Sequence, residues 1–249
     1  MSIPPHRNNS TEDNTEGTLE FIETAQYSSH EPSSSYGDHP RYTPVPRPWR
    51  QYRHPNGDIY YYHHGLRLIT PDDIRDPIIL SYVMEAREDH LQCIEDDSNF
   101  YRLPRDWELT LCDVSESGAV IGMHSRSAGA SYDWSEETGL VIKSKEHFWT
   151  HLAEYPSHHA DLPPNTEAEF VHALNNAKSS IMSGAVFPFS ERQIDQVIGR
   201  YQHLKGLQAR GRNTTPALAW LMGAVMPLDI VGRTLVDEDL EALMGDLHF

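Results

Sequence analysis

The side chains with the most chemical potential in this chain are histidines. His147-Phe148-Trp149-Thr150-His151 places two imidazoles four residues apart, and on a helix that spacing brings both to one face, as in zinc-binding pairs. Glu154 and the adjacent His158-His159 are near enough in sequence to complete a donor set, and His63-His64 forms another donor cluster. The metalloprotease version of the pair needs Glu directly after the first histidine, where this chain has Phe148. Phe148, Trp149 and Leu152 also describe an ordinary packed amphipathic helix. Two readings therefore stand: a metal-binding protein or metal-dependent enzyme using His147 and His151, or histidines that serve packing. No residue is assigned as a metal ligand on this ground, and no cofactor is implied.

Other catalytic signatures are missing. The sequence has no Gly-x-Ser-x-Gly, no Gly-x-Gly-x-x-Gly and no phosphate-binding loop. Cys93 and Cys112 sit in acidic surroundings that do not activate a thiol. With two cysteines there is neither a disulfide framework nor a zinc ribbon, which points to a reducing compartment. The 249 residues carry 20 basic and 37 acidic side chains, a formal charge of −17, which argues against a counterion-exchanging nucleic-acid groove. The one basic stretch, Arg200 to Arg212, reads as the complement of a helix C-terminus. The longest apolar run, Pro216 to Val231, contains Pro227 and Asp229 and falls short of the ~20 residues a spanning helix needs. Without an N-terminal apolar segment, the expectation is an intracellular, cytoplasmic or nuclear protein that does not cross a membrane.

The elements that must position these residues follow from local patterns. Residues 1–43 are rich in Ser, Thr, Asn, Glu and Pro, and are expected to form a disordered acidic tail. Arg50 to Arg53 and Ile59 to His64 flank His54-Pro55-Asn56-Gly57-Asp58, an Asn-Gly hairpin signal, and Leu66 to Ile69 supplies a third strand. Asp76-Pro77 opens a connecting helix over 77–98, with Leu80, Val83, Met84, Arg87, Leu91 and Ile94 on one stripe. A second three-strand pattern occupies 103–136: Glu108 to Val114, Ala119 to Arg126 and Ala130 to Trp134. The two patterns open alike. Val45-Pro46-Arg47-Pro48-Trp49 and Leu103-Pro104-Arg105-Asp106-Trp107 both read apolar-Pro-Arg-x-Trp, 58 residues apart.

Residues 143–249 are expected to be all-helical. Helices are expected from Lys145 to Tyr155, after a Thr166-x-x-Glu169 capping box, after Ser190-x-x-Gln193, over Ala217 to Met226 and over Leu228 to Met244. The fold class is thus α+β: two small antiparallel three-stranded units, a helix between them and a helical C-terminal region.

The unit over 44–76 resembles a WW domain. Pro46, Trp49, Gly57, Tyr60, Tyr61 and His64 fill the family's early positions at its spacing, after which the second tryptophan position falls on Pro71. The resemblance implies a structural buckle of Pro46, Trp49 and Tyr61. It also implies a peptide-facing side of Tyr60, Tyr62 and His64, on which a tyrosine and a tryptophan grip a proline-rich ligand. The unit over 103–136 resembles a degenerate second copy, and the resemblance implies Pro104 and Trp107 as its buckle and Trp134 as its one retained groove wall. Tyr60-Tyr61-Tyr62, Ile74-Arg75-Asp76-Pro77 and Phe187-Pro188-Phe189-Ser190-Glu191 also resemble segments of WW-domain proteins from mushroom-forming fungi. Those relatives continue with more hydrophobic C-terminal sequence, so the resemblance leaves membrane association open for longer forms, and it brings no known activity with it. The implied function is a non-enzymatic protein-interaction or scaffold protein with weakened affinity for proline-rich peptides. Its implied partners are proteins or such peptides, not nucleic acid.

Overall fold

The computed structural model describes residues 43–183 and 189–231. The acidic segment over 1–43 thus lies, but for its last residue, outside the described residues. So do most of the helix expected over Leu228 to Met244 and the Phe187-Pro188 part of the resemblance.

The first hairpin forms where the Asn-Gly signal places it, with β1 at Arg50–Arg53 and β2 at Ile59–His63. Gly57 takes φ +104°, open to glycine at no steric cost, and Asn56 Oδ1 accepts the Asp58 N–H at 2.9 Å. β3 (Leu68–Thr70) pairs antiparallel with β2. The chain then enters α1 (Pro77–Glu95), whose first turn is closed by the Asp76 carboxylate accepting the Ile78 N–H at 2.8 Å.

After α1, β4 (Glu108–Ser115), β5 (Gly118–Ser125) and β6 (Ala130–Ser135) form the second antiparallel unit, as expected. A further strand, β7 (Gly139–Ile142), extends it. Gly139 is required there twice over. Its φ is +62°, and a Cβ would lie 2.6 Å from Asp97 Oδ2, which accepts the Leu140 N–H at 2.8 Å and the Trp134 indole N–H at 3.1 Å.

The two three-stranded units are not separate sheets. β3 pairs in parallel with β4, Leu68 opposite Leu109 and Ile69 opposite Thr110, so all seven strands lie in one sheet in chain order. The architecture is α+β, with a larger sheet than the sequence pattern suggested. A parallel junction needs a crossover, and α1 supplies it. All three residues of β3 are buried, the signature of a strand covered on both faces. On one face Trp49, Tyr61, Leu68, Leu109, Leu111, Met123 and Tyr132 pack with Val83 and Ile94 of α1.

The other face is covered by α2 (Lys145–Glu154) and the segment after it. α2 is held in turn by α3 (Thr166–Met182), α4 (Glu191–Ala209) and α5 (Thr215–Val231). The expected box at Ser190 and Gln193 is present. The one at Thr166 is not: Asn165 precedes the helix at φ 65°, and the Thr166 hydroxyl donates to the Pro163 carbonyl at 2.7 Å. The helix starts one residue earlier than the pattern implies, with Asn165 at the cap, so Thr166 is already the first helical residue and cannot serve as the capping side chain. α5 also runs through Pro227, where the sequence suggested a break. Buried α5 residues such as Leu218, Leu221, Met222 and Val225 hold it in the core against the local cost of proline. Gly223 allows the approach to α2: a Cβ there would lie 2.5 Å from both Ala153 N and the Trp149 carbonyl oxygen. Among the described residues no helix is long and apolar enough to cross a membrane.

Candidate functional site

The α2-facing side of the sheet collects the polar chemistry. Strand alternation sends Tyr60 and Tyr62 from β2, Glu108, Thr110 and Cys112 from β4, and His124 from β5 to this face. Their neighbours Tyr61, Leu109, Leu111 and Met123 go to the α1 side. Segment 155–159, which leaves the C-terminus of α2, crosses this aromatic face. Ser157 N–H donates to Tyr60 Oη at 2.7 Å, and the Ser157 hydroxyl donates to the Arg53 carbonyl at 2.7 Å. The Tyr155 ring stands edge-on to Tyr60 with centroids 5.3 Å apart. His54 fastens the hairpin turn to the same region: its Nδ1 accepts the Asn56 N–H, which leaves Nε2–H to donate to the Ala153 carbonyl at 2.8 Å.

Glu108 is the centre of the network. Its carboxylate is 2% exposed and accepts the Tyr62 hydroxyl at 2.7 Å. His159 Nε2 lies 2.9 and 3.1 Å from its two oxygens, and His158 Nε2 lies 3.4 Å from Oε2. Burial by itself would raise the Glu108 pKa. The hydrogen bonds and charge of the two histidines outweigh it and hold the carboxyl well below its ordinary range. His158 is pushed down to about 4, chiefly by burial, with Glu108 pulling the other way. A neutral His158 satisfies every contact: Tyr60 Oη accepts from Ser157 N–H and donates to Nδ1 at 3.1 Å, and Nε2–H faces Glu108. Beside them the half-buried Arg126 guanidinium, which donates to the Asp161 carbonyl, feels the Glu108 charge.

A second group lies along α2. The rings of His124 and His151 stack with centroids 3.7 Å apart and planes at 6°, and His124 Nδ1 is 2.7 Å from the Ser131 hydroxyl. Burial drives the His124 pKa down to about 3, and burial together with the neighbouring His124 puts His151 well below its ordinary value, so the stack is neutral at pH 7. Both rings line a cavity of about 170 Å³ with His147, Glu154, Cys112 and Tyr155. Burial raises the Glu154 carboxyl and the Cys112 thiol.

The residues singled out from sequence fall into distinct places. Trp49 and Tyr61 are buried together on the α1 side, and the Tyr61 hydroxyl donates to Asp73. Both openings of the repeat close in the same way: Trp49 N–H donates to the Pro46 carbonyl at 3.0 Å, and Trp107 N–H to the Pro104 carbonyl at 3.1 Å. Tyr60, Tyr62 and His64 do share a face. His64 is exposed, with Nε2 2.8 Å from the Tyr52 hydroxyl, while Tyr60 and Tyr62 are 2% and 4% exposed. Trp134 does not join them. It packs on the α1 side, its indole N–H held by Asp97. His147 and His151 line one cavity, but among the described residues they form no three-donor group at ligand spacing. That group is Glu108, His158 and His159, whose ligand atoms lie within 4.8 Å of one another. In sequence Glu108 is only a polar position of an alternating strand. The covering of that face by α2 and segment 155–159 buries it.

Compared with known proteins, the chain matches no family model, no curated protein and no solved structure.

Proposed function

We propose that this chain is a non-enzymatic interaction or scaffold protein whose WW-like aromatic face is occupied by its own segment 155–159, which leaves little affinity for external proline-rich peptides. The observation that carries this reading is the seating of Ser157: its N–H on Tyr60 Oη and its hydroxyl on the Arg53 carbonyl. The segment lies over the side on which the resemblance puts a peptide, and Tyr60 and Tyr62 are closed to solvent. An external ligand would have to displace an intramolecular one held at high effective concentration. The separation of Trp134 from Tyr60 across the thickness of the sheet adds support, because a two-walled proline grip needs both rings on one side. Tested by calorimetry with proline-rich peptides, the full chain should show no saturable binding below about 1 mM, a free energy weaker than roughly −4 kcal/mol. Submillimolar binding that Tyr60→Ala abolishes would overturn the self-occupied face.

A further inference from the structure

We infer that Glu108, His158 and His159 form a binding site for a single divalent transition-metal ion of the zinc class. Two imidazole nitrogens and one carboxylate are a donor set such ions favour, with a fourth position left for water. Zinc bonds to nitrogen and oxygen of ~2.0–2.2 Å at tetrahedral angles require ligand atoms ~3.3–3.5 Å apart. Glu108 Oε2 to His158 Nε2 is 3.4 Å, Glu108 to His159 Nε2 is 2.9 to 3.1 Å, and one ligand atom from each of the three residues lies within 4.8 Å of the others, so small side-chain adjustments admit the ion.

The surroundings are built for it as well. Ligating groups are usually oriented by hydrogen bonds behind them, and here Tyr62 Oη sits 2.7 Å from Glu108 Oε1 and Tyr60 Oη 3.1 Å from His158 Nδ1. On coordination His158 carries its one ring proton on Nδ1 instead of Nε2. Tyr60 Oη, which both donates and accepts, can partner either tautomer. The Glu108 and His158 side chains are almost wholly buried, whereas that of His159 is 26% exposed and leaves an entry side. The Arg126 charge opposes a cation, and its donation to the Asp161 carbonyl directs part of the guanidinium elsewhere. Because Glu108 belongs to the sheet and both histidines to the covering segment, the ion would clip that segment down. The inference stands apart from the interaction reading, which a metal-free chain would also satisfy.

The test is a Zn(II) titration of the chelator-treated full chain against a colorimetric competitor, with Co(II) as a spectroscopic probe. One ion per chain at a Kd below about 1 μM is expected, together with visible Co(II) bands of four- or five-coordinate geometry. Glu108→Gln and His159→Ala should each weaken uptake by ~100-fold or more, and Tyr62→Phe by ~10-fold. His147→Ala should leave it unchanged. No stoichiometric uptake by the wild-type chain, Co(II) bands of a hexa-aqua ion, or uptake that survives both Glu108→Gln and His159→Ala would overturn the site. So would loss on His147→Ala alone.

Discussion

The two faces of the sheet are built from alternate residues of the same strands, yet they are held together by different physics. Leu109 and Met123 point towards α1, while their chain neighbours Glu108 and His124 point towards α2. The α1 side is an apolar core in which burial is non-directional and each side chain contributes by area and fit. The α2 side buries Glu108, Tyr60, Tyr62, Tyr155, His151 and His158, with His124 half-buried among them, and each must find a partner of the right polarity. The lesson is that the face with the weaker intrinsic drive to bury became the more specified one. A polar network tolerates one arrangement of donors and acceptors, and the same requirement makes that face responsive to protons and ions.

The comparison predicts, first, that the α2 side depends on a single close approach behind it. Gly223→Ala should destabilise the chain by about 4 kcal/mol or more in urea unfolding, since a Cβ 2.5 Å from two α2 backbone atoms forces the helices apart. Helix propensity alone would favour alanine by ~1 kcal/mol, so the sign of the change decides the matter.

Second, the faces should separate by pH. His124 and His158, with folded pKa values of about 3 and 4, and His151, also depressed, stay neutral in the fold but titrate near 6.5 when unfolded. The unfolded chain binds these protons first, so their stabilising contribution is complete above pH 6.5 and is lost as pH falls towards 4. Each histidine contributes a slope of up to about 1.4 kcal/mol per pH unit, so a total loss on the order of 3 kcal/mol or more is expected between pH 6.5 and 4.5. Leu109→Ala should cost about 2–5 kcal/mol by the same amount at pH 7.5 and 5.5. His90, the buried histidine of α1, is also depressed by burial, so His90→Leu is the control. It should leave most of the slope, and its abolishing the slope would place the sensitivity on the other face.

Third and smallest, Asp76→Ala removes the N-cap of α1 and should cost about 1 kcal/mol in the same unfolding assay. The acid slope should survive it. A slope that changed with the α1 cap would show that the two faces are coupled through more than the sheet between them.

Much of this molecule was legible one segment at a time. Asn56-Gly57, Asp76-Pro77 and Ser190-x-x-Gln193 each encode a turn or a helix start within a few residues, and each forms where it was expected. The apolar-Pro-Arg-x-Trp repeat closes two equivalent turns for the same reason. Thr166 shows the limit, because the helix starts one residue early, with Asn165 at the cap and Thr166 inside the first turn. The His158-His159 pair was visible as a donor cluster, whereas its carboxylate partner lies 50 residues earlier in the chain.

What the sequence determined by itself is therefore local: turns, caps, strand alternation and the order of elements. The parallel pairing of Ile69 with Thr110, the inward turn of Glu108, the seating of Ser157 on Tyr60 and the removal of Trp134 to the opposite side were decided by tertiary structure. An alternating strand states that two faces differ without naming what will cover them. The covering helix enters the chain only at Lys145, and the contact that orients it against α5 is made at Gly223.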